Sequence, residues 1–278
     1  MRIKKRIMRV SFYIFLTLTA LVFVAPIIIV FMNSFKGQFF ITDSPFTLPD
    51  GNTFVGLENY TNGIRRTNFI SSFGYSLFIT LASVFAIVLF CSMAAWFLAR
   101  VKNKVTQAIY YTFVFSMIVP FQMVMFTMSK VANILRLDNP LGIVFIYLGF
   151  GAGLSIFMFY GFASGIPTEI EEAATIDGCT PISMFFRVIF PILRPIATTV
   201  AILNTMWIWN DYLLPYLVIG NSYKTIPIAV QYLEGGYGSR DMGALMALLV
   251  LSVIPIIIFY LAAQKQIVKG VVAGAVKG

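Results

Sequence analysis

The sequence contains no histidine and only two cysteines among its 278 residues. Without histidine, the most common general base and metal ligand of enzyme sites is missing. Cys91 lies inside an apolar stretch and Cys179 beside an acidic one, and nothing in their spacing indicates a disulfide framework or a metal site. A glycine-rich loop ending in lysine, which cradles nucleotide phosphates, is also absent. We therefore predict a chain that catalyses no reaction of its own.

Charge is equally scarce, since charged residues make up 11% of the chain and hydrophobic residues 59%. With 28 Phe, 13 Tyr and a mean hydropathy of +0.87, the chain is too apolar to cover a water-facing surface. The apolar residues also occur in blocks long enough to cross a bilayer, which takes about 20 residues as a helix. The composition predicts a polytopic membrane protein.

Six apolar blocks are present, at about 11–32, 71–99, 108–128, 141–163, 196–219 and 243–263. Because lipid offers no hydrogen-bond partners, each block is predicted to be a helix, so the fold class is all-α with six transmembrane helices. The basic start "MRIKKRIMRV" leads into the first block with no small-residue cleavage site, which indicates an uncleaved signal anchor.

The basic residues predict the orientation. Of the 20 Lys and Arg residues, 13 lie in the two termini and in the links after the second and fourth blocks. By the positive-inside rule both termini are cytoplasmic, and the net charge of +9 is a topology signal. The basic residues do not form a patch interleaved with aromatic residues, as a nucleic-acid-binding site would need. We predict one transmembrane domain over 1–278 with a core at about 70–265, and an ordered extracytoplasmic link at about 33–70.

The longest cytoplasmic link, 164–195 between the fourth and fifth helices, carries four of the chain's 11 acidic residues in "EIEEAATIDG". Thr168 and Glu171 have the spacing of a capping box. Three of them, Glu169, Glu171 and Glu172, crowd the first helical turn, where the helix dipole stabilises each by about 0.3–1 kcal/mol. Gly178 stands where a left-handed residue would end the helix.

A second short helix is predicted directly after the first. Thr180 is its N-cap, Pro181 its first residue, and an apolar, aromatic face runs to Pro191. From these features alone, the two helices could lie on the bilayer surface or dock against a partner, and both interpretations stay open.

The same residues resemble a known motif. Glu172, Ala173 and Ala174 are followed by three residues, Gly178, nine residues, and then "VIFP" ending at Pro191. Permease subunits of bacterial ABC importers carry EAA, three residues, G, nine residues, I, one residue and LP. Here valine and phenylalanine replace the usual isoleucine and leucine. The segments "GLENY" and "QKQIVKGVVAGAVKG" are similar to the second permease of carbohydrate importers of the maltose type.

This resemblance implies that the acidic helix is a coupling helix that docks on a separate ATPase subunit. The implied ATPase contact comprises Glu172, Ala173, Ala174, Asp177, Gly178 and Pro191. The implied partners are a second permease in a heterodimer, an ATPase dimer, an extracytoplasmic solute-binding protein, the lipid bilayer and a sugar. ATP and magnesium would be used by the ATPase, and this chain needs no cofactor. The implied location is the bacterial cytoplasmic (inner) membrane.

Polar residues within the fifth block indicate a second site. A carboxylate within a span costs about 2.5–3.5 kcal/mol on insertion scales, so Asp211 needs a specific environment. Helical spacing puts Asn204, Trp207, Asp211 and Pro215 on one face. We predict a translocation path or gate formed by Asn204, Trp207, Asn210 and Asp211. Contact with the sugar and a structural or gating role both remain open.

Two smaller features concern helix packing. In "GFGAG", Gly149, Gly151 and Gly153 would permit close helix approach. Pro120 and Pro255 would kink their helices.

Three alternatives compete with a sugar-importer permease. One is an ABC permease for another solute, such as a polyamine, phosphate or glycerol-phosphate. Another is a secondary transporter, which would need an internal repeat with broken helices that is not evident in the sequence. The third is a membrane enzyme, which the missing histidine and metal ligands disfavour.

Overall fold

The computed structural model describes residues 2–220, 222–233 and 241–275. Two of the 20 basic residues counted for the topology prediction, Arg240 and Lys277, lie outside these ranges. The described chain is helical, and its only strand-like pairing is an isolated bridge between Lys36 and Phe54. The helices are α1 (Arg2–Asn33), α2 (Gln38–Asp43), α3 (Glu58–Thr67), α4 (Phe69–Arg100), α5 (Lys104–Ser116), α6 (Phe121–Ile134), α7 (Gly142–Ala163), α8 (Glu169–Ile176), α9 (Pro181–Met184), α10 (Phe190–Asn210), α11 (Leu213–Ile219), α12 (Ile226–Gln231) and α13 (Met242–Ala275).

Five stretches of the described chain are helical, long and apolar enough to cross a membrane. They are Met8–Asn33, Phe69–Arg100, Gly142–Ala163, Pro181–Asn210 and Met242–Gln266. The prediction of one helix over 108–128 is wrong, because α5 and α6 meet at an angle of 107°. Pro120 immediately precedes α6 and has extended backbone, and proline can neither donate to the preceding turn nor fit within it. The span count is therefore six only if this bent pair is one span.

The fifth block also differs from its prediction. The helix that begins at Pro181 does not end at Pro191 but continues through a π-helical turn (Phe185–Ile189) into α10. Within this turn the Phe190 N–H donates to the Phe185 carbonyl, five residues back. Pro191 lies in the first turn of α10 and has no N–H to donate. The wider π turn just before it lets the helix continue through this proline. The second short loop helix is thus the start of the next span.

The chain forms two compact units. One comprises Met1–Ile70 and Ala229–Pro255, and the other Ser71–Ile228 and Ile256–Gly278. The second unit holds a contiguous apolar core in which α7 contributes Tyr147, Ile156 and Phe159, all essentially inaccessible to solvent.

In the first unit, the loop after α1 is ordered around a buried lysine. The Lys36 ammonium donates to the Ser44 carbonyl at 2.7 Å and to the Thr47 hydroxyl at 3.1 Å. Further along, the Asp50 carboxylate accepts from the Thr53 hydroxyl and from two backbone N–H groups, and these bonds hold the pKa of Asp50 below its usual value. This loop is ordered as predicted.

A buried asparagine ties α3 to that loop. The Asn59 amide donates to the carbonyls of Ser34 and Lys36 at 2.9 and 2.8 Å. Gly243, near the start of α13, lies so close that a Cβ there would clash with the Asn59 amide oxygen. The α3–α13 contact within this unit therefore requires glycine.

Close packing of α7 depends on two of its three predicted glycines. A Cβ on Gly153 would be 2.9 Å from the Phe113 carbonyl of α5, and one on Gly151 would be 2.6 Å from the Ile87 side chain of α4. A Cβ on Gly149 would meet nothing within 4 Å. Gly151 and Gly153 thus permit close helix approach, and Gly149 does not take part.

We expect Gly153→Ala to destabilise the protein by about 1–3 kcal/mol, because the added methyl meets a backbone carbonyl that cannot turn aside. Gly149→Ala is the matched control and should be neutral or up to about 1 kcal/mol more stable, since alanine favours a helix. Unfolding of both variants in mild detergent measures the difference. Equal stability of the two would contradict the close α5–α7 contact.

Candidate functional site

The acidic helix α8 begins without the predicted capping box. Thr168 has helical backbone angles (φ −68°, ψ −26°), and its side chain does not cap the helix. Its carbonyl instead accepts from the N–H groups of Glu171 and Glu172, as within a helix. The carboxylates of the first turn still lie at the positive end of the helix dipole. The Glu171 side chain does not reach back to Thr168 and instead contacts another helix.

The Glu171 carboxylate joins α8 to the last turns of α4. Its Oε1 accepts from Trp96 Nε1 at 3.0 Å and from Arg100 Nε at 2.7 Å, and Arg100 Nη2 lies at ion-pair distance, 2.7 Å from the same oxygen. Arg100 Nη2 also donates to the Ile166 carbonyl at 3.0 Å, in the link just before α8. We call these four groups the α8 anchor: the Trp96 indole, the Arg100 guanidinium, the Glu171 carboxylate and the Ile166 carbonyl.

The α8 anchor is largely shielded from solvent. The side chains of Arg100 and Glu171 are 18% and 14% exposed. Sequence reasoning left Glu171 as a capping residue and did not connect it to Arg100. The available signal was topological, because both residues lie in links predicted to face the same side of the membrane.

The end of α8 agrees with its prediction. Gly178 has φ +81°, and its N–H donates to the Thr175 carbonyl while the Cys179 N–H donates to the Ala174 carbonyl. This is the Schellman pattern, in which a left-handed glycine closes a helix. The next helix starts as predicted at Thr180, whose hydroxyl accepts from the Ser183 N–H.

Most residues of α8 and of its C-terminal end, other than Glu171 and Ala174, are exposed, and we call them the exposed face of α8. The predicted contact residues Glu172, Ala173, Asp177 and Gly178 are all among them. Two large apolar side chains beside them are also uncovered, since Ile176 is 86% and Ile182 68% exposed. Ala174, in contrast, is buried, and Pro191 is exposed but lies beyond the π turn in α10. Four of the six predicted contact residues are thus exposed at α8 or its C-terminal end, and their contact with an ATPase stays a prediction.

The second predicted site is not one continuous face. Helix α10 ends at Asn210, and Asp211 has extended backbone (φ −73°, ψ 126°), so Pro215 belongs to the separate helix α11. Asn204 is buried and donates to Ser155 on α7 at 3.2 Å. Its other bond is to a carbonyl one turn back in α10.

Asp211 satisfies the backbone at the helix break and contacts α7. Its Oδ1 accepts from the N–H groups of Leu213 and Leu214 at 3.1 and 3.4 Å, which caps α11. Its Oδ2 accepts from the Tyr147 hydroxyl at 3.1 Å. The Tyr147 ring meets Trp207 edge to face, with centroids 5.4 Å apart.

The remaining two residues of this site are exposed. Trp207 is 40% exposed, and the Asn210 amide donates to the Met206 carbonyl within its own helix. Asn204 and Asp211 therefore form hydrogen bonds with α7, whereas Trp207 and Asn210 are exposed at the surface.

The chain resembles known transport proteins over most of its length. It is 38% identical over 259 residues, 93% of each chain, to the probable starch degradation products transport system permease protein AmyC of Thermoanaerobacterium thermosulfurigenes. It is 31% identical over 270 residues to the multiple sugar-binding transport system permease protein MsmG of Streptococcus mutans, covering 95% of this chain and 96% of that one.

The fold has a solved counterpart. A chain in the crystal structure of a bacterial ABC transporter involved in the import of the acidic polysaccharide alginate superimposes with a TM-score of 0.79 at 22% identity, over 94% of this chain and 97% of that one. The family model described as binding-protein-dependent transport system inner membrane component matches residues 91–272, which include α8, the α8 anchor and both predicted sites. The chain belongs to this family of inner membrane components of binding-protein-dependent transport systems.

Proposed function

We propose that this chain is a permease subunit of an ATP-driven importer, and that it forms half of the translocation path for an oligosaccharide or a related sugar. The observation that carries the proposal is the exposed face of α8. The α8 anchor fixes the first turn of this helix, and Gly178 ends it. The relatives support sugar as the substrate class, since the names of AmyC and MsmG refer to starch degradation products and to multiple sugars.

In this proposal α8 is the element that contacts a separate ATPase. Glu172 pairs with a basic group of the ATPase, and Ala173 lets a partner backbone approach closely. Exposed Ile176 and Ile182 supply apolar area that the contact would bury. ATP and magnesium bind to the ATPase, and this chain converts the movement of its partner into movement of its spans.

The proposed topology puts both termini and α8 in the cytoplasm of a bacterial cell. The loop around Lys36 then faces the outside, where the solute-binding protein delivers the sugar. A second permease subunit completes the path. The contact between Arg100 and Glu171 supports the part of this topology that puts the links after α4 and after α7 on one side, because residues in contact must lie on the same side of the membrane.

For the second site, we infer that Asn204 and Asp211 hold α10 and α11 against α7, as a gate or a structural contact. Both have hydrogen-bond partners on α7, in Ser155 and Tyr147. Trp207 and Asn210 are exposed, and they are the members of the site available to face the path.

The first test concerns Gly178. Its positive φ makes any side chain costly although no atom lies within 4 Å of the added Cβ, so alanine should destabilise this turn by about 1–2 kcal/mol. We expect Gly178→Ala to lower ATP-coupled uptake roughly tenfold. Gly178→Asn should retain more activity, because asparagine tolerates the left-handed region. The measurement is uptake of a labelled maltooligosaccharide into proteoliposomes that contain the complete transporter.

The matched control is Gly161→Ala in α7, where the added Cβ also meets nothing within 4 Å but φ is not left-handed. Permease content of the vesicles is equalised before comparison. Full uptake by Gly178→Ala would refute the coupling role of α8. Uptake that survives removal of the ATPase would instead indicate a secondary transporter.

The second test separates the gate from the path. Tyr147→Phe removes the hydroxyl bonded to Asp211 and keeps the ring against Trp207, so we expect a loss of about 0.5–2 kcal/mol of stability in detergent. The exposed Tyr111→Phe is the control and should have no effect.

Transport and membrane insertion are then measured separately for Asp211→Asn and Trp207→Ala. We expect Asp211→Asn to impair both insertion and transport, whereas Trp207→Ala should insert normally and transport less. Normal insertion and stability of Asp211→Asn with lost uptake would contradict the structural role and favour direct sugar contact.

A further inference from the structure

Glu171 differs from its neighbours in the first turn of α8. Glu169 and Glu172 are exposed, whereas the Glu171 side chain is 14% exposed and turned toward α4. Its Oε1 accepts from the Trp96 indole N–H and the Arg100 Nε–H and forms an ion pair with the guanidinium, which is more than helix capping would require. A carboxylate shared in this way fixes both the position and the rotation of the helix that bears it.

Arg100 fixes α8 from a second direction. Its guanidinium is planar and rigid, and Nη2 reaches both Glu171 and the Ile166 carbonyl. Ile166 lies in the link between α7 and α8, which is the segment that would otherwise bend when α8 is pushed. One side chain at the end of α4 thus holds the acidic helix and the link that leads into it.

Trp96 extends this contact to α10. It precedes Arg100 by one helical turn, and its indole N–H donates to Glu171. Its ring also contacts Phe185, with centroids 5.8 Å apart. Phe185 is fully buried and begins the π turn that leads directly into α10. Trp96 therefore touches both the acidic helix and the start of the next span.

We propose that Trp96, Arg100 and Glu171 are positioning residues that transmit movement of α8 to the spans α4 and α10. This inference rests on the proposed function, since it requires that the ATPase pushes on α8. With the α8 anchor intact, α8 and the ends of both spans move as one body. Without it, the exposed face can still bind the ATPase, but the push is absorbed by bending of the link around Ile166.

A purely structural role and a transmitting role predict different results. Loss of a structural contact lowers the amount of assembled transporter and leaves each surviving complex normal. Loss of transmission leaves the complex assembled and the ATPase active, but lowers the sugar imported for each ATP hydrolysed. The decisive quantity is therefore this ratio, measured on complexes that have assembled.

The experiment uses the complete transporter in proteoliposomes with its solute-binding protein, ATP and a labelled maltooligosaccharide. Trp96→Phe keeps a ring against Phe185 and the ion pair, and removes only the N–H bond to Glu171. Glu171→Gln removes the charge, and Glu169→Gln is the matched control on the same turn. We expect the imported sugar per ATP to fall about 2- to 30-fold in Glu171→Gln, less in Trp96→Phe, and not in the control.

The outcomes separate the two proposals. If Glu171→Gln assembles and has the ratio of Glu169→Gln, transmission through the α8 anchor is overturned. If Glu171→Gln fails to assemble, Trp96→Phe decides: a lowered ratio supports transmission, and an unchanged ratio overturns it. Normal uptake by both Glu172→Gln and Gly178→Ala would instead show that the proposed coupling through α8 is wrong.

Discussion

The ion pair between Arg100 and Glu171 is the contact on which the arrangement of α8 depends. Both side chains are mostly shielded from water, and removing one partner from such a pair typically costs about 3–5 kcal/mol because the other charge is left unpaired. The bond holds the acidic helix by its least exposed carboxylate. Glu172 and Asp177 are consequently free to face outward, and they give the exposed surface its negative charge.

The apolar surroundings impose a second constraint, since polar groups in the spans must find partners within the protein. At the end of α10, the chain breaks and Asp211 accepts from the first N–H groups of α11. The same carboxylate receives the Tyr147 hydroxyl, and the Asn204 amide finds Ser155. The break between α10 and α11 and the side chains that bond to its free backbone groups are therefore adjacent, and both Asp211 and Asn204 contact α7.

The local features that the structure confirms depend on a few neighbouring residues. The left-handed closure at Gly178 and the start at Thr180 and Pro181 follow from backbone sterics that act within one turn. The bend between α5 and α6 was not predicted, because the apolar composition of a block does not show whether the chain runs straight through it. The predicted stop at Pro191 failed because a π turn accommodates proline in a way that spacing does not reveal.

Hydropathy and backbone sterics are local properties, so the amino-acid order alone indicates a helical, membrane-spanning chain with an acidic helix that ends at a left-handed glycine. The spacing of a few residues also indicated its resemblance to permeases. That Glu171 binds Arg100 and Trp96 and does not cap α8 is visible only in the folded chain, because residues about 70 positions apart share no local signal. Tertiary packing likewise buried Asn204 and left Trp207 exposed, although a helical wheel puts both on one face.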